Sequence, residues 1–433
     1  LLVKDAMPWV NHLSRQPRER RPDPPARCRA PGDQPPRAPR MVRQGDGPGW
    51  DGRICGSLTK GAKTLLDSAV GICQPPAGGQ GAPDARPDKR PDKRGGPAMR
   101  LAITGAAGFI GQMVVKALDA ADTVVLDGVE RRVSAILAVD IAGGPLAALA
   151  ASCRHVHALQ GGLDDAGVLT RIASDAPDLV IHLAAVVSGQ AEADWDLGWA
   201  VNLRGTQALI EACRRMPRPP VVVFASSVAV FSCAQNDTIT EDTLPAPRSS
   251  YGTQKLMGEL LVADATRRGI IRGRSLRFPT ISIRPGAPNR AASGFASGIL
   301  REPLAGLPAS LPVGRDLRLH LASPDKALDY TLMACGLDQG RLAGNPTVTL
   351  PGITVSVGEM IDTLARLAGP DVAARITPAP DPAIEAIVAC WPGEILCPRA
   401  RALGFTPNSG IAELITEHQA RMARDSMALI ARD

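Results

Sequence analysis

Three glycines spaced by threes, in Thr104-Gly-Ala-Ala-Gly-Phe-Ile-Gly111, constrain this chain more than any other feature. They follow a short apolar run at residues 101–104 and open an amphipathic stretch that reaches about residue 120. A strand that feeds a helix through such a turn is suited to hold an anion. Gly105 permits the tight turn, Gly108 lets the backbone approach a pyrophosphate, and Gly111 lets the helix pack closely on the strand, while the helix N-terminus offers unpaired amides. Phe109 and Ile110 occupy the same turn. A purely structural loop can also carry three glycines, so the reading depends on what surrounds them.

The surroundings are those of a parallel sheet covered by helices, because β-rich runs alternate with helical stretches from Met99 onward. Strands are predicted at 100–104, 123–127, 156–159, 179–183, 221–226 and 275–283, and helices at 108–120, 164–175, 195–215 and 251–268. This is an α/β pattern, a doubly wound Rossmann sheet. After Arg284-Pro-Gly286 the alternation gives way to a Gly/Pro/Ser-rich stretch, then to helices predicted at 324–337, 356–368, 381–389 and 411–425. Residues 99–284 are thus read as a nucleotide-binding domain and 285–433 as a smaller mixed α/β substrate domain.

Residues 1–98 are of another kind. They hold 16 of the 39 prolines and 13 of the 43 glycines, and 18 Lys and Arg against 10 Asp and Glu. Such a composition predicts a disordered extension, since it offers little apolar surface to offset ordering entropy. The reading favoured here places it upstream of a start at Met99, with a genuine tail or an Arg-rich targeting segment as alternatives. The remaining residues carry 31 Lys and Arg against 33 Asp and Glu, so the positive net charge belongs to the extension. Nucleic-acid binding by the folded part thereby loses its electrostatic argument. No apolar run is long enough for a membrane helix. The nine cysteines are scattered and odd in number, which reads as cytoplasmic thiols without a disulfide framework or a metal site. His182, inside an apolar run, reads as a core residue.

Asp127 ends the second predicted strand, 22 residues after Gly105. An acid there can accept both ribose hydroxyls of an adenosine and would repel a 2′-phosphate, which favours NAD over NADP. Arg131 and Arg132 nearby weaken that preference unless they are solvated. A second constellation is Tyr251-Gly-Thr-Gln-Lys255, where helical spacing puts both side chains on one face. The ammonium can then draw the phenol pKa down from about 10 toward neutrality. Ser227, 24 residues upstream, closes the apolar run 221–227, and a hydroxyl at a strand's C-terminal edge lies where open α/β sheets bind ligands.

Residues 99 to about 425 resemble an extended short-chain dehydrogenase/reductase, a member of the NAD-dependent epimerase/dehydratase family, through the glycine turn, His182-Leu-Ala-Ala185 and Val201-Asn202. Within it, the run from His182 to Asp194, Ser249-Ser-Tyr-Gly-Thr-Gln-Lys255, Arg284-Pro-Gly-Ala-Pro-Asn289, Ile299-Leu-Arg-Glu-Pro-Leu304 and Asp381-Pro-Ala-Ile-Glu-Ala-Ile-Val388 are similar to D-erythronate dehydrogenases. The resemblance implies oxidation at C2 of a four-carbon sugar acid, with Tyr251 as general base, Lys255 assisting it and holding the nicotinamide ribose, and Ser227 orienting the reacting oxygen. It also implies that Ala184 and Ala185 line the cofactor cleft, that Asn202 supports the site, that Pro279 and Thr280 lie near the nicotinamide, and that the protein pairs as a homodimer.

Two departures stand out. Gly161-Gly-Leu163 replaces the usual Gly-Asp-Leu, leaving Leu163 at the adenine side with Asp164 as a substitute acid, and Val230-Phe-Ser232 replaces Val-Tyr-Gly. A sugar acid also needs a carboxylate anchor, for which a bidentate arginine is the usual solution. Arg284, Arg290 and Arg301 are the candidates, with Ser188 and Gln190 available for hydroxyl contacts, although each arginine is individually as well explained as a surface or ion-paired residue. Trp195 and Trp391 read as packing residues. The rival functions are a nucleotide-sugar epimerase or dehydratase that retains its NAD, and a non-catalytic NAD-sensing module.

Overall fold

A parallel strand covered on both faces is apolar along its whole length, and the runs around residues 101, 180 and 222 meet that condition at the centre of the molecule. The computed structural model describes residues 97–121, 123–234, 237–286 and 293–430. The predicted extension therefore lies outside the described residues apart from its last two, and so does Arg290.

In chain order the strands are β1 (Ala98–Thr104), β2 (Thr123–Leu126), β3 (Val129–Asp140), β4 (Val156–Gln160), β5 (Leu179–His182), β6 (Val221–Ser227), β7 (Thr238–Ile239), β8 (Arg272–Phe278), β9 (Thr280–Ile281), β10 (Ala309–Leu311), β11 (Arg318–Ala322), β12 (Thr347–Thr349) and β13 (Ile353–Ser356). The helices that matter here are α1 (Phe109–Ala120), α2 (Gly143–Ala151), α3 (Ala166–Asp175), α4 (Ser188–Ala193), α5 (Trp195–Gly198), α6 (Gly205–Arg214), α7 (Ser250–Arg267), α8 (Gly294–Leu304), α9 (Pro324–Gly336) and α10 (Val357–Ala368). Further helices span Pro382–Val388 and Ile411–Ile430.

The main sheet runs β12-β8-β6-β5-β1-β3 in parallel. Beyond β3, the antiparallel β2 lies against its first half and the parallel β4 against its second. Alternate residues of the central strands feed two cores. Leu101 and Ile103 pack with Val114 and Leu118 of α1 and Tyr330 of α9 on one face, and Ala102, Val180 and Val222 pack with Ile172 of α3, Leu209 of α6 and Val262 of α7 on the other. Each large apolar side chain so buried contributes about 1.5–3 kcal/mol. The sheet is doubly wound, as predicted.

A third core joins α8, β11, α10 and the last helix through Ile299, Leu321, Met360 and Leu414. The chain after residue 284 does not stay with it, however: α9 packs on the main sheet and β12 extends it. The strand predicted over 275–283 is broken at Pro279, which has no N–H to donate to a ladder. The chain then leaves β8 and enters a small sheet as β9, beside β11, which pairs antiparallel with β13.

The larger departure concerns residues 123–140. The predicted strand 123–127 is only the first arm of a hairpin, and the second parallel strand of the sheet is β3. Asp127 and Gly128 form the turn, with φ of 51° and 78°. An Asp-Gly pair at positive φ is the pattern of a two-residue hairpin turn, whose twist matches its flanking strands. Among the described residues no helix is long and apolar enough to cross a membrane, and no group of His, Cys, Asp and Glu is placed to hold a metal ion.

Candidate active site

The C-terminal ends of the parallel strands carry the candidate residues. Gly105 follows β1 at φ 72°, where a Cβ would stand 2.6 Å from the Ala184 amide nitrogen. A Cβ on Gly111 would fall 2.1 Å from the Gly105 carbonyl oxygen. Both glycines are therefore required by close backbone approach. Gly108 caps α1 without any side-chain hydrogen bond, so Phe109, Ile110 and Gly111 form a first helical turn whose amides face outward. That end of the helix fits a pyrophosphate.

Asp127 does not belong to this region. It sits at the start of β3, while the glycine turn follows the end of the parallel strand beside it. Its carboxylate is held by Arg272 at 2.5 Å, by Arg274 at 2.7 Å and by the Gln339 amide at 2.9 Å. The acid in the expected position is Asp140, at the end of β3, whose carboxylate accepts from the Ala107 amide of the glycine turn and from the Ala142 amide, both at 2.9 Å. The signal for it was present: a long run ends in Asp140, and the Asp-Gly turn marks the preceding segment as an inserted hairpin. Leu163, buried in the core beyond β4, follows the strand that pairs with the Asp140 end of β3.

The adjacent cavity, of about 290 Å³, is lined by Ile110, Ala185, Ser188, Ser227, Tyr251, Lys255, Pro279, Thr280 and Arg284. Ser227 ends β6 and its Oγ accepts from the Ala229 amide at 3.1 Å. Tyr251, in the first turn of α7, lines the same cavity, and the nearby Ser227 hydroxyl favours its phenolate. Ser249 caps that helix by accepting from the Gly252 amide at 3.1 Å, which fixes where the Tyr251 phenol points. Lys255, one turn on, is 3% exposed, donates to the Ala225 carbonyl at 2.8 Å and places Nζ 5.7 Å from the Tyr251 ring centre.

The predicted lowering of the phenol by Lys255 is not what this geometry gives. Burial pushes Tyr251 up to about 12, and the groups pulling it back are Ser227 and the Arg284 guanidinium. Lys255 is itself lowered by burial to about 8, with Glu259 opposing the shift. Glu259 is buried, accepts from Ser226 at 2.5 Å and pairs with Arg277 at 2.7 Å.

Other candidates separate cleanly. Arg284 lines the cavity, steadied by Ser293 at 3.2 Å, whereas Arg301 stands behind it, donating to the Arg284 carbonyl at 2.7 Å and pairing with Glu302. Arg301 is thus a support and not a contact. Gln190, in α4, is not among the residues lining the cavity, and Ala184 contributes its amide to Thr104 at 3.4 Å. Asn202 is buried, with its amide bonded to both backbone groups of Val186 and to Gln254 at 2.8 Å. It clamps the loop after β5 to α7 and is not among the residues lining the cavity. His182 is a core residue between Thr104 and Thr206, kept neutral by a pKa lowered to about 3 through burial. Trp391 packs against the third core, as predicted, and also lines the cavity, while Trp195 stacks on Trp199. His320, which the sequence did not single out, lines the cavity as well.

Residues 101–318 match the model of the NAD dependent epimerase/dehydratase family. The chain belongs to that family. A D-erythronate dehydrogenase of Cupriavidus necator is 43% identical over 317 residues, covering 73% of this chain and 97% of the relative. One from Haemophilus influenzae is 37% identical, covering 74% and 98%. Among solved structures of the family, the nucleoside-diphosphate-sugar epimerase from Agrobacterium tumefaciens superposes with a TM-score of 0.67 at 37% identity, over 74% of this chain and 94% of that one.

Proposed function

We propose that this protein is an NAD-dependent dehydrogenase that oxidises the C2 hydroxyl of D-erythronate to 2-oxo-tetronate. The observation that carries the reading is Arg284 facing Tyr251 across one small cavity. A guanidinium in that place can grip a substrate carboxylate while the neighbouring carbon presents its hydroxyl to the phenol. The two D-erythronate dehydrogenases match nearly their whole length, substrate half included.

The residues present fit NAD: the glycine turn and α1 for the pyrophosphate, Asp140 for the ribose hydroxyls, Ala185 and Pro279 for the walls of the nicotinamide pocket. The Asp140 carboxylate disfavours a 2′-phosphate, hence NAD over NADP. When bound, NAD supplies the acceptor for the C2 hydride. The chain's own work is proton transfer and orientation. Tyr251, as the phenolate, takes the C2 hydroxyl proton, Ser227 hydrogen-bonds the same oxygen and fixes its direction, and Lys255 adds positive charge beside the phenol.

A nucleotide-sugar epimerase that retains NAD is the second reading, favoured by the description of the Agrobacterium structure. It needs a groove for a nucleoside diphosphate, which a four-carbon acid does not. The deciding experiment follows NADH formation from added NAD with D-erythronate, L-threonate, D-threonate and a UDP-hexose. Selective turnover of D-erythronate supports the proposal. Epimerisation of the UDP-hexose without oxidation of any acid overturns it.

A further inference from the structure

Two cysteines 157 residues apart in the chain, Cys233 and Cys390, meet where the segment after the helix Pro382–Val388 crosses the chain that leaves β6. The Cys233 amide donates to the Cys390 carbonyl at 3.1 Å. Farther along, the Leu396 amide donates to the Ile239 carbonyl at 2.8 Å, and Glu394–Ile395 runs parallel to β7. The crossing is thus fastened at both ends.

A backbone hydrogen bond of that length keeps the two α-carbons within about 7 Å of each other, the limit beyond which a disulfide cannot close. Both cysteines are free thiols, half-buried, and they line one surface depression together with Arg248. The Cys233 thiol is pushed up by burial, by Asp237 and by Cys390, so each sulfur lies within electrostatic reach of the other. Cys390 Sγ donates to the Ile387 carbonyl at 3.0 Å. The positive charge of Arg248 at the depression favours the thiolate that starts a disulfide exchange. Cys213, Cys335 and Cys397 differ, being buried thiols that burial pushes up to about 12.

We propose that Cys233 and Cys390 form a redox modification site, joined as a disulfide by a low-molecular-weight disulfide such as oxidised glutathione, and that the bridge weakens substrate binding in the neighbouring cavity. One cysteine thiolate attacks the oxidant, which gives a mixed disulfide and releases one glutathione thiolate. The second cysteine thiolate then attacks the protein sulfur of that mixed disulfide and expels the other glutathione. The two protein thiols give up two electrons and two protons, and one oxidised glutathione becomes two thiols. The effect reaches the cavity because Trp391, the residue after Cys390, lines it, as do Ser227, Val228 and Ala229, which lead to Cys233. Closing the bridge draws Cys390 from the Ile387 carbonyl and carries Trp391 with it. The bridge is independent of the dehydrogenase reading, and only its effect on substrate rests on that reading.

The test incubates the whole chain with oxidised glutathione, alkylates the remaining thiols and examines the unreduced peptides by mass spectrometry. A peptide pair joined through Cys233 and Cys390 is expected, lost on adding dithiothreitol and absent from Cys390→Ser, while Cys153, also half-buried, carries only glutathione or the alkyl group. Kinetics on the same samples give a KM for D-erythronate raised about threefold or more by oxidation, because a small displacement of a site wall is felt in substrate positioning. Dithiothreitol restores the KM, and the oxidant leaves that of Cys390→Ser unchanged. Cys233→Ser, with the same expectation, serves if the first variant does not fold. Alkylation or glutathione on both cysteines without a joined pair overturns the site. A joined pair with an unchanged KM overturns its control of the cavity. If the reduced protein oxidises no four-carbon acid, the dehydrogenase reading falls, and the joined peptides still decide the bridge.

Discussion

The Asp140 carboxylate accepts a hydrogen bond from the Ala107 amide at 2.9 Å, which ties the end of β3 to the glycine turn that follows β1. Both lie at the C-terminal edge of the parallel sheet, where open α/β folds bind ligands. Under the proposed function this carboxylate holds the adenosine ribose. Hydrogen bonds to a charged group are each worth about 1.5–3 kcal/mol, so Asp140→Ala raises the KM for NAD by about tenfold or more. The same variant narrows the preference for NAD over NADP, and initial-rate kinetics with both cofactors read the two effects. An unchanged KM for NAD would remove Asp140 from the cofactor site.

Asp127 gives the opposite expectation. Its partner Arg274 is fully buried, and donates in addition to the Ala334, Arg272 and Leu337 carbonyls. Removing one member of a buried ion pair leaves the other charge uncompensated, at a cost of about 3–5 kcal/mol. Asp127→Ala therefore lowers the urea midpoint while the folded fraction keeps the wild-type KM for NAD. A stable variant with weakened NAD binding would return Asp127 to the cofactor site.

The contrast between these two acids shows what the sequence carried. The glycine turn, Ser227, Tyr251 and Lys255 were legible because their chemistry is tied to local spacing, and each stands at the end of a strand or in the first turns of a helix. The acid beside the glycine turn is Asp140 and not Asp127, because counting about 20 residues from the glycines assumes that the next strand is the next parallel strand. Here a hairpin intervenes, and Asp127-Gly128 is its turn and not a strand end. His320 and the supporting role of Arg301 were not legible at all. Both depend on chain segments brought together only by the third core, and no local pattern distinguishes a strand residue that borders a cavity from one packed beside it.

Under the proposed function Arg284 acts on substrate and base at once, which gives it a double signature. Its guanidinium is one of the groups opposing the burial that drives Tyr251 up to about 12. A nearby positive charge favours the phenolate, so taking it away raises the phenol further, and the base form is reached only at higher pH. Arg284→Gln should raise the KM for D-erythronate by about tenfold or more and move the acid limb of the oxidation profile upward. A KM effect without a shifted limb would mean that the guanidinium holds substrate but does not tune the phenol.

Tyr251→Phe removes the proposed acid–base group and keeps the ring. General acid–base catalysis contributes about 10²–10⁴-fold, and kcat for oxidation falls by that order. NADH binding, followed by fluorescence, stays within a few-fold of wild type because the glycine turn and Asp140 are untouched. Retention of wild-type turnover by this variant would take the acid–base role away from Tyr251.

Lys255 sets the alkaline side. Burial lowers its pKa from 10.5 to about 8, so the ammonium is charged below about pH 8 and loses its charge as pH rises through that value. With the charge gone the lysine's proposed hold on the nicotinamide ribose weakens, and oxidation declines above pH 8. Glu259, buried one turn further along α7, favours the charged lysine. Glu259→Gln therefore drops the lysine pKa and moves the alkaline limb to lower pH. The variant also loses stability, because Arg277 forfeits its buried carboxylate partner. Lys255→Arg keeps a charge at every accessible pH and removes the limb, at a reduced rate because the longer guanidinium cannot repeat the 2.8 Å contact with Ala225. An alkaline limb near pH 8 that persists in Lys255→Arg would assign it to another group and separate the lysine's charge from the reaction.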